Sequence, residues 1–129
     1  MMQDGHRPVV IVVDDDEAVR ESLRFLLDIA GYDVVTYDSA QAYLDRTDRQ
    51  GAACMLLDQH MPNTTGLELL TLLRNRGARL PTALITGSPS PDLVRQAIAL
   101  GAARVLEKPL ADDALLHFVA CAAAGACPQ

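Results

Sequence analysis

Short apolar segments of strand length alternate along the chain with segments of helical periodicity. The first apolar segment, 8–13, is rich in Val and Ile and lacks polar alternation, which is typical of a parallel strand buried on both faces. The expected strands are 8–13, 34–37, 54–58, 82–86 and 103–106. Short connections of this kind require right-handed crossovers with helices on both faces of a sheet. The pattern therefore predicts a doubly wound α/β domain with a five-stranded parallel sheet.

The intervening segments carry apolar residues at helical spacing and residues that start or stop helices. A first helix is expected from Val19 to Ala30, because apolar residues recur at i, i+4, i+7 and i+8 and Gly31 supplies a stop. Ser39 and Ser90 are expected N-caps of later helices. The other expected helices are 40–46, a segment with leucines at 69, 70 and 73 that ends near 77, 91–100, and a last one that includes 115–122.

Composition limits the function classes. A chain of 129 residues with 50% apolar and 22% charged residues is expected to fold as one domain over 1–129, with a core at about 8–120 and a simple C-terminal tail. We find no apolar run of about 18 residues and no signal-peptide pattern, so we expect a cytoplasmic protein without a membrane span. A net charge of −6 argues against direct nucleic-acid binding. Cys54, Cys121 and Cys127 show no C-x-x-C spacing, which argues against a disulfide framework or a zinc site.

Candidate chemistry lies where the predicted strands end. The residues at these ends are Asp14 and Asp15, Asp38, Asp58, Thr86 and Lys108. The carboxyl ends of parallel strands meet at one edge of a sheet, and ligands bind there in open α/β sheets. Three carboxylates brought to that edge repel one another by roughly 3 kcal/mol per pair at an effective dielectric near 20. A divalent cation removes this penalty, and Mg²⁺ fits carboxylate oxygens well. We expect Asp38 to be a turn residue.

Four motifs on these strand ends resemble the receiver domain of two-component response regulators, and those of the FixJ type most closely. They are V-V-D-D-D-E-A-V-R, L-L-D-Q-H-M-P-N-T-T-G, L-I-T-G and L-E-K-P, in chain order. The resemblance covers about 8–120. It implies a flavodoxin-like sheet of strand order 2-1-3-4-5 and a phosphoryl group accepted from a histidine kinase or a phosphotransfer protein.

The resemblance also implies roles for single residues. Asp58 would be the phosphoacceptor, with Thr86 and Lys108 as its hydroxyl and cationic partners. Mg²⁺ would be held by Asp15, Asp58 and the backbone carbonyl of His60, with Asp14 acting through a water.

Further expectations follow from the resemblance. The Lys108–Pro109 peptide bond would be cis. Thr86 and Val105 occupy the switch positions, and a homodimer would form through the fourth helix, fifth strand and fifth helix. Receivers commonly carry an aromatic residue at the position of Val105, and a short, stiff valine reports little by rotation. We therefore expect the loop 87–91 to transmit the Thr86 shift.

Other functions are compatible with this architecture. A receiver-shaped interaction module that is never phosphorylated is one, although all the site positions are intact. A small phosphatase that uses Asp58 is another, but such enzymes often carry a second acid where this chain has His60. A flavodoxin-type protein would need aromatic residues for the flavin, and the chain has three Tyr, two Phe and no Trp.

Overall fold

The computed structural model describes residues 7–46 and 51–125. Its strands are β1 (Val9–Val13), β2 (Asp33–Tyr37), β3 (Cys54–Asp58), β4 (Thr82–Thr86) and β5 (Arg104–Glu107). Its helices are α1 (Glu17–Ile29), α2 (Ala40–Leu44), α3 (Gly66–Asn75), α4 (Pro91–Ala99) and α5 (Asp112–Ala123). Cys127 and the end of the C-terminal tail lie outside the described residues. Within them, no helix is both long and apolar enough to cross a membrane.

The strands form one parallel sheet in the order β2-β1-β3-β4-β5, which confirms the predicted fold class. All five residues of β3 and of β4 are buried, as expected for central strands covered on both faces. The ends of β1 and β3 lie side by side, because Val13 pairs with Leu57. This register brings the residues that follow β1 next to Asp58.

Two apolar clusters cover the two faces of the sheet. On one face, Leu27 of α1 and Phe118 of α5 pack against alternate residues of β1 and β3. On the other face, Tyr43 of α2, Leu69 of α3 and Ala97 of α4 pack against the remaining residues. Helices α1 and α5 therefore form one outer layer, and α2, α3 and α4 form the other.

Helix and strand ends differ slightly from the sequence expectation, for local reasons. Helix α1 begins two residues earlier than predicted, because the Asp16 side chain accepts hydrogen bonds from the backbone N–H groups of Ala18 and Val19. Ser39 and Ser90 are N-caps, as predicted. The last strand is shifted by one residue.

Candidate functional site

Three aspartates meet at the carboxyl edge of the sheet. Asp58 ends β3 and is 2% exposed, while Asp14 follows β1 and is 1% exposed. Asp15 lies beside them and is open to solvent. One carboxylate oxygen from each of the three lies within 4.8 Å of the others. The structure thus brings together the acidic residues that the sequence singled out, and it leaves one of them accessible.

Lys108 brings a positive charge to this cluster from the edge strand. It follows β5, and its backbone N–H donates a 2.9 Å hydrogen bond to the Thr86 carbonyl at the end of β4. Its Nζ atom lies 3.1 Å from Asp58 Oδ1 and 3.7 Å from Asp14 Oδ2. The Lys108–Pro109 peptide bond is cis, the isomer that the resemblance implies. Lys108 is also the only lysine in the sequence.

The pKa values of both ionisable groups that face Asp58 are raised, for different reasons. Burial raises the pKa of Asp14 above 3.8, and the nearby Asp58 charge adds to this, although a hydrogen bond from the Asp16 N–H offsets part of it. For Lys108, burial lowers the pKa, but contact with Asp58 and the charge of Asp14 outweigh burial and raise the pKa above 10.5. The site therefore disfavours the ionised form of Asp14 and favours the charged form of Lys108.

The donor set fits a hard divalent cation. Within the described residues, Asp58 Oδ1 is buried, and the Lys108 ammonium lies 3.1 Å from it. One ammonium offsets only one of the three clustered carboxylates, and buried charge that is not compensated is costly. The exposed Asp15 leaves an entry path beside Asp58. Oxygen ligands, partial exposure and excess negative charge are the conditions that Mg²⁺ prefers.

Thr86 and His60 form a contact that the sequence did not reveal. Thr86 ends β4 and is fully buried. Its Oγ1 atom lies 3.1 Å from Nε2 of His60 and accepts a 3.1 Å hydrogen bond from the Ser88 N–H. We had expected only the carbonyl of His60 to have a role. The imidazole contact could not be foreseen, because it depends on the β3–β4 register and on the path of the loop after β3.

That loop is fixed at several points. The Gln59 side chain accepts a 2.9 Å hydrogen bond from the Leu67 N–H. Met61 is buried, and Asn63 has a φ of 74°, in the left-handed region that Asn tolerates. At Gly66 an added Cβ would lie 2.7 Å from the Asp58 carbonyl oxygen, so only glycine lets α3 approach the end of β3 this closely.

Three other residues lie around the site or were considered for it. Arg20 of α1 donates a 2.8 Å hydrogen bond to the Asp14 carbonyl, a contact that sequence reasoning also missed. Val105, the predicted switch position, is half-buried and packs against the cluster on the α3–α4 face. Asp38, expected to be a turn residue, is exposed beyond β2.

Known proteins are similar to this chain in sequence. FixJ, a transcriptional regulatory protein of Bradyrhizobium diazoefficiens, is 40% identical over 119 residues, which are 92% of this chain and 57% of that protein. FixJ of Azorhizobium caulinodans is 44% identical over 110 residues, covering 85% of this chain and 52% of that protein. The chain thus spans about half the length of these curated relatives.

Solved structures show the same fold. The crystal structure of FixJ-N superposes with a TM-score of 0.81 at 33% identity, over 95% of this chain and 96% of that one. The family model described as "Response regulator receiver domain" matches residues 10–120. This chain belongs to the response regulator receiver domain family, and its place is in two-component signalling.

Proposed function

We propose that this receiver domain accepts a phosphoryl group on Asp58 from a histidine kinase or a phosphotransfer protein, in the cytoplasm and with Mg²⁺. One observation carries the proposal. Asp58 Oδ1 is buried, faces the Lys108 ammonium at 3.1 Å, and lies beside two further carboxylates. A nucleophile, a cation and ligands for a metal thus surround one point.

The reaction requires little covalent chemistry from the protein. A carboxylate oxygen of Asp58 forms a bond to phosphorus while the bond from phosphorus to the donor breaks, and the donor nitrogen or oxygen leaves with the electron pair. The charge on the transferred group sits mainly on its equatorial oxygens. Lys108 is placed to neutralise one of them, and the Thr86 hydroxyl would donate to another. Water then attacks the same phosphorus slowly and regenerates the carboxylate.

We assign the metal ligands to Asp15, Asp58 and the carbonyl of His60, with Asp14 acting through a water. When bound, Mg²⁺ supplies charge neutralisation for the carboxylates and for the incoming phosphoryl oxygens. Asp14 keeps a suitable orientation because its Oδ1 accepts a 2.9 Å hydrogen bond from the Asp16 N–H. Arg20 holds the backbone carbonyl of the same residue.

We place the phosphoryl donor over the groove between α1 and α5. This groove is lined mainly by apolar side chains, and its lining also includes Lys108, the residue whose ammonium contacts Asp58. Phe25 of α1 also lines it and is 70% exposed. A large exposed apolar side chain in an apolar groove is typical of a protein-binding surface.

We place the output on the surface formed by α4, β5 and α5. Strand β5 is an edge of the sheet, and Ile98 of α4 is 49% exposed. A shift of Thr86 would reach this surface through the loop 87–91, which launches α4. The proposed partner at this surface is a second copy of the chain, and the dimer would form in response to phosphorylation.

Mass spectrometry of the intact protein after incubation with acetyl phosphate and Mg²⁺ tests the phosphoacceptor. We expect one phosphoryl adduct in the wild type and none in Asp58→Asn. Asp38→Asn is the matched control, because Asp38 likewise follows a strand of the sheet, β2, but is exposed and outside the cluster. An adduct that persists in Asp58→Asn contradicts the assignment.

The same experiment separates the alternative functions. A wild type that never gains the adduct, with acetyl phosphate left intact, indicates an interaction module. Many turnovers of acetyl phosphate without a lasting adduct indicate a phosphatase.

A further inference from the structure

The hydrogen bonds of the Thr86 hydroxyl are complete before any phosphoryl group arrives. Thr86 Oγ1 accepts from the Ser88 N–H at 3.1 Å and contacts His60 Nε2 at 3.1 Å. The threonine is fully buried, whereas His60 is exposed at the surface of the loop after β3. The hydroxyl is thus held between a backbone donor of its own loop and a side chain from the neighbouring strand's loop.

The direction of the bond follows from the inventory of donors and acceptors. A hydroxyl has one proton to donate, and a neutral imidazole with its proton on Nδ1 offers Nε2 as an acceptor. Among the hydrogen bonds of the described residues, no other acceptor is within reach of the Thr86 proton. A buried hydroxyl proton without a partner is costly. The arrangement that satisfies every group has Thr86 O–H donating to His60 Nε2.

We propose that the His60 imidazole is a positioning residue that holds the Thr86 hydroxyl in its resting place and so opposes the switch. This inference rests on the proposed function, because it concerns the same hydroxyl that would donate to a phosphoryl oxygen. One proton cannot serve both acceptors. Thr86 must therefore break its bond to His60 before it can bind the phosphoryl group.

The backbone around His60 makes such a hold effective. On one side, the Gln59 N–H donates a 2.8 Å hydrogen bond to the Ile85 carbonyl. On the other side, Met61 is buried in the core. With both neighbours fixed, the imidazole is aimed by its own side-chain torsions alone. The resting state thus gains a bond that the switched state lacks.

A direct test uses the resting protein, without a phosphoryl group. In protein with ¹⁵N-labelled histidine, Thr86→Val removes the hydroxyl while keeping the side-chain shape, and it should move the His60 Nε2 resonance. His117, whose Nε2 contacts Cys121 on α5, serves as the internal reference and should not move. An unchanged His60 resonance overturns the proposal.

A second test follows the switch. His60→Phe keeps a flat ring without the nitrogen, and His60→Gln keeps an amide oxygen that can accept. The Thr86 methyl resonance reports the switch equilibrium. Its position is read between two reference values, one for the resting protein and one for the protein with Mg²⁺ and beryllofluoride. We expect His60→Phe to shift that equilibrium constant toward the beryllofluoride state by about fivefold, the factor that one typical net hydrogen bond represents, and His60→Gln to restore it.

The outcomes of the two tests are separable from the proposed function. If wild-type protein binds beryllofluoride and gains the Asp58 adduct, the proposed function stands whatever His60 does. If His60→Phe leaves the resting equilibrium unchanged, or if His60→Gln behaves like His60→Phe, the inference about His60 is wrong. If wild-type protein forms neither adduct nor complex, the proposed function fails, and the resonance test still decides whether the bond exists.

Discussion

Replacing Asp14 by Asn should stabilise the fold in the absence of Mg²⁺ and destabilise it, relative to the wild type, in its presence. The substitution removes one charge from the carboxylate cluster and keeps the oxygen that accepts from the Asp16 N–H. Without metal the variant is expected to be more stable than the wild type. With metal the wild type should become the more stable of the two, because its full set of carboxylates binds the cation.

The magnitude follows from the distances. At an effective dielectric near 20, charges within 4.8 Å of each other repel by about 3.5 kcal/mol or more, and the Lys108 ammonium at 3.7 Å attracts Asp14 by about 4.5 kcal/mol. The buried Asp58 exerts its full repulsion on Asp14, whereas the repulsion from the exposed Asp15 is only partial. The charge terms therefore nearly cancel, and burial decides the balance, in line with the raised pKa of Asp14. We expect the metal-free variant to gain about 1 to 2 kcal/mol, or about 4 to 8 °C in Tm.

Thermal unfolding with EDTA and with saturating Mg²⁺ measures the effect of the substitution without and with metal. At a metal concentration about 100 times Kd, the wild type should gain about 2.7 kcal/mol, whereas Asp14→Asn should gain much less. Asp16→Asn is the matched control, since it removes the same charge two residues away and still caps α1. It should keep the wild-type response to Mg²⁺.

The pH dependence gives an independent check with a defined sign. The pKa of Asp14 in the folded protein lies above its ordinary value of 3.8, so the folded state binds the proton more tightly than the unfolded state. The metal-free wild type should therefore lose stability relative to Asp14→Asn as pH rises from 3.8 through the folded pKa. A variant that is less stable than the wild type in EDTA at neutral pH, or a wild type indifferent to Mg²⁺, would refute the reasoning.

Three further changes address other parts of the structure. Gly66→Ala should cost about 1 to 3 kcal/mol of unfolding free energy by overpacking against the Asp58 carbonyl, while Gly51→Ala, with open space around its Cβ, should cost little; equal denaturant midpoints would contradict this. Lys108 has a raised pKa, so its stabilising charge should be present below pH 10.5 and be lost as pH rises through the folded pKa. Lys108→Met should lack this loss of stability when melting curves of the two proteins are compared across that pH range. Val105→Ala should leave phosphorylation-dependent dimerisation intact, and Pro89→Gly should weaken it, as measured by analytical ultracentrifugation; the reverse pattern would show that the valine, not the loop, carries the signal.

The fold and the acidic cluster were predictable because they depend on local pattern. The apolar run before Asp14 and the one before Asp58 each end in a carboxylate, and the parallel sheet then makes the two residues neighbours. The same logic placed Thr86 and Lys108 at this edge. None of this required knowledge of exact register.

The contacts that could not be predicted depend on register and on loop geometry. The imidazole of His60 reaches Thr86 only because Asp58 pairs with Ile85 and the loop then turns at Asn63. Nothing in the periodicity of the chain encodes either feature. The contact from Arg20 to the Asp14 carbonyl similarly depends on where α1 begins, and that start was predicted two residues too late.

The single lysine has a practical consequence. Apart from the amino terminus, the only primary amine in the sequence belongs to Lys108, which lies against Asp58 and Asp14. A label introduced by reductive methylation would therefore give one side-chain resonance, and that resonance would report on the reactive edge of the sheet. Conversely, coupling the protein to a support through its ε-amine would block the residues that the coupling was meant to study.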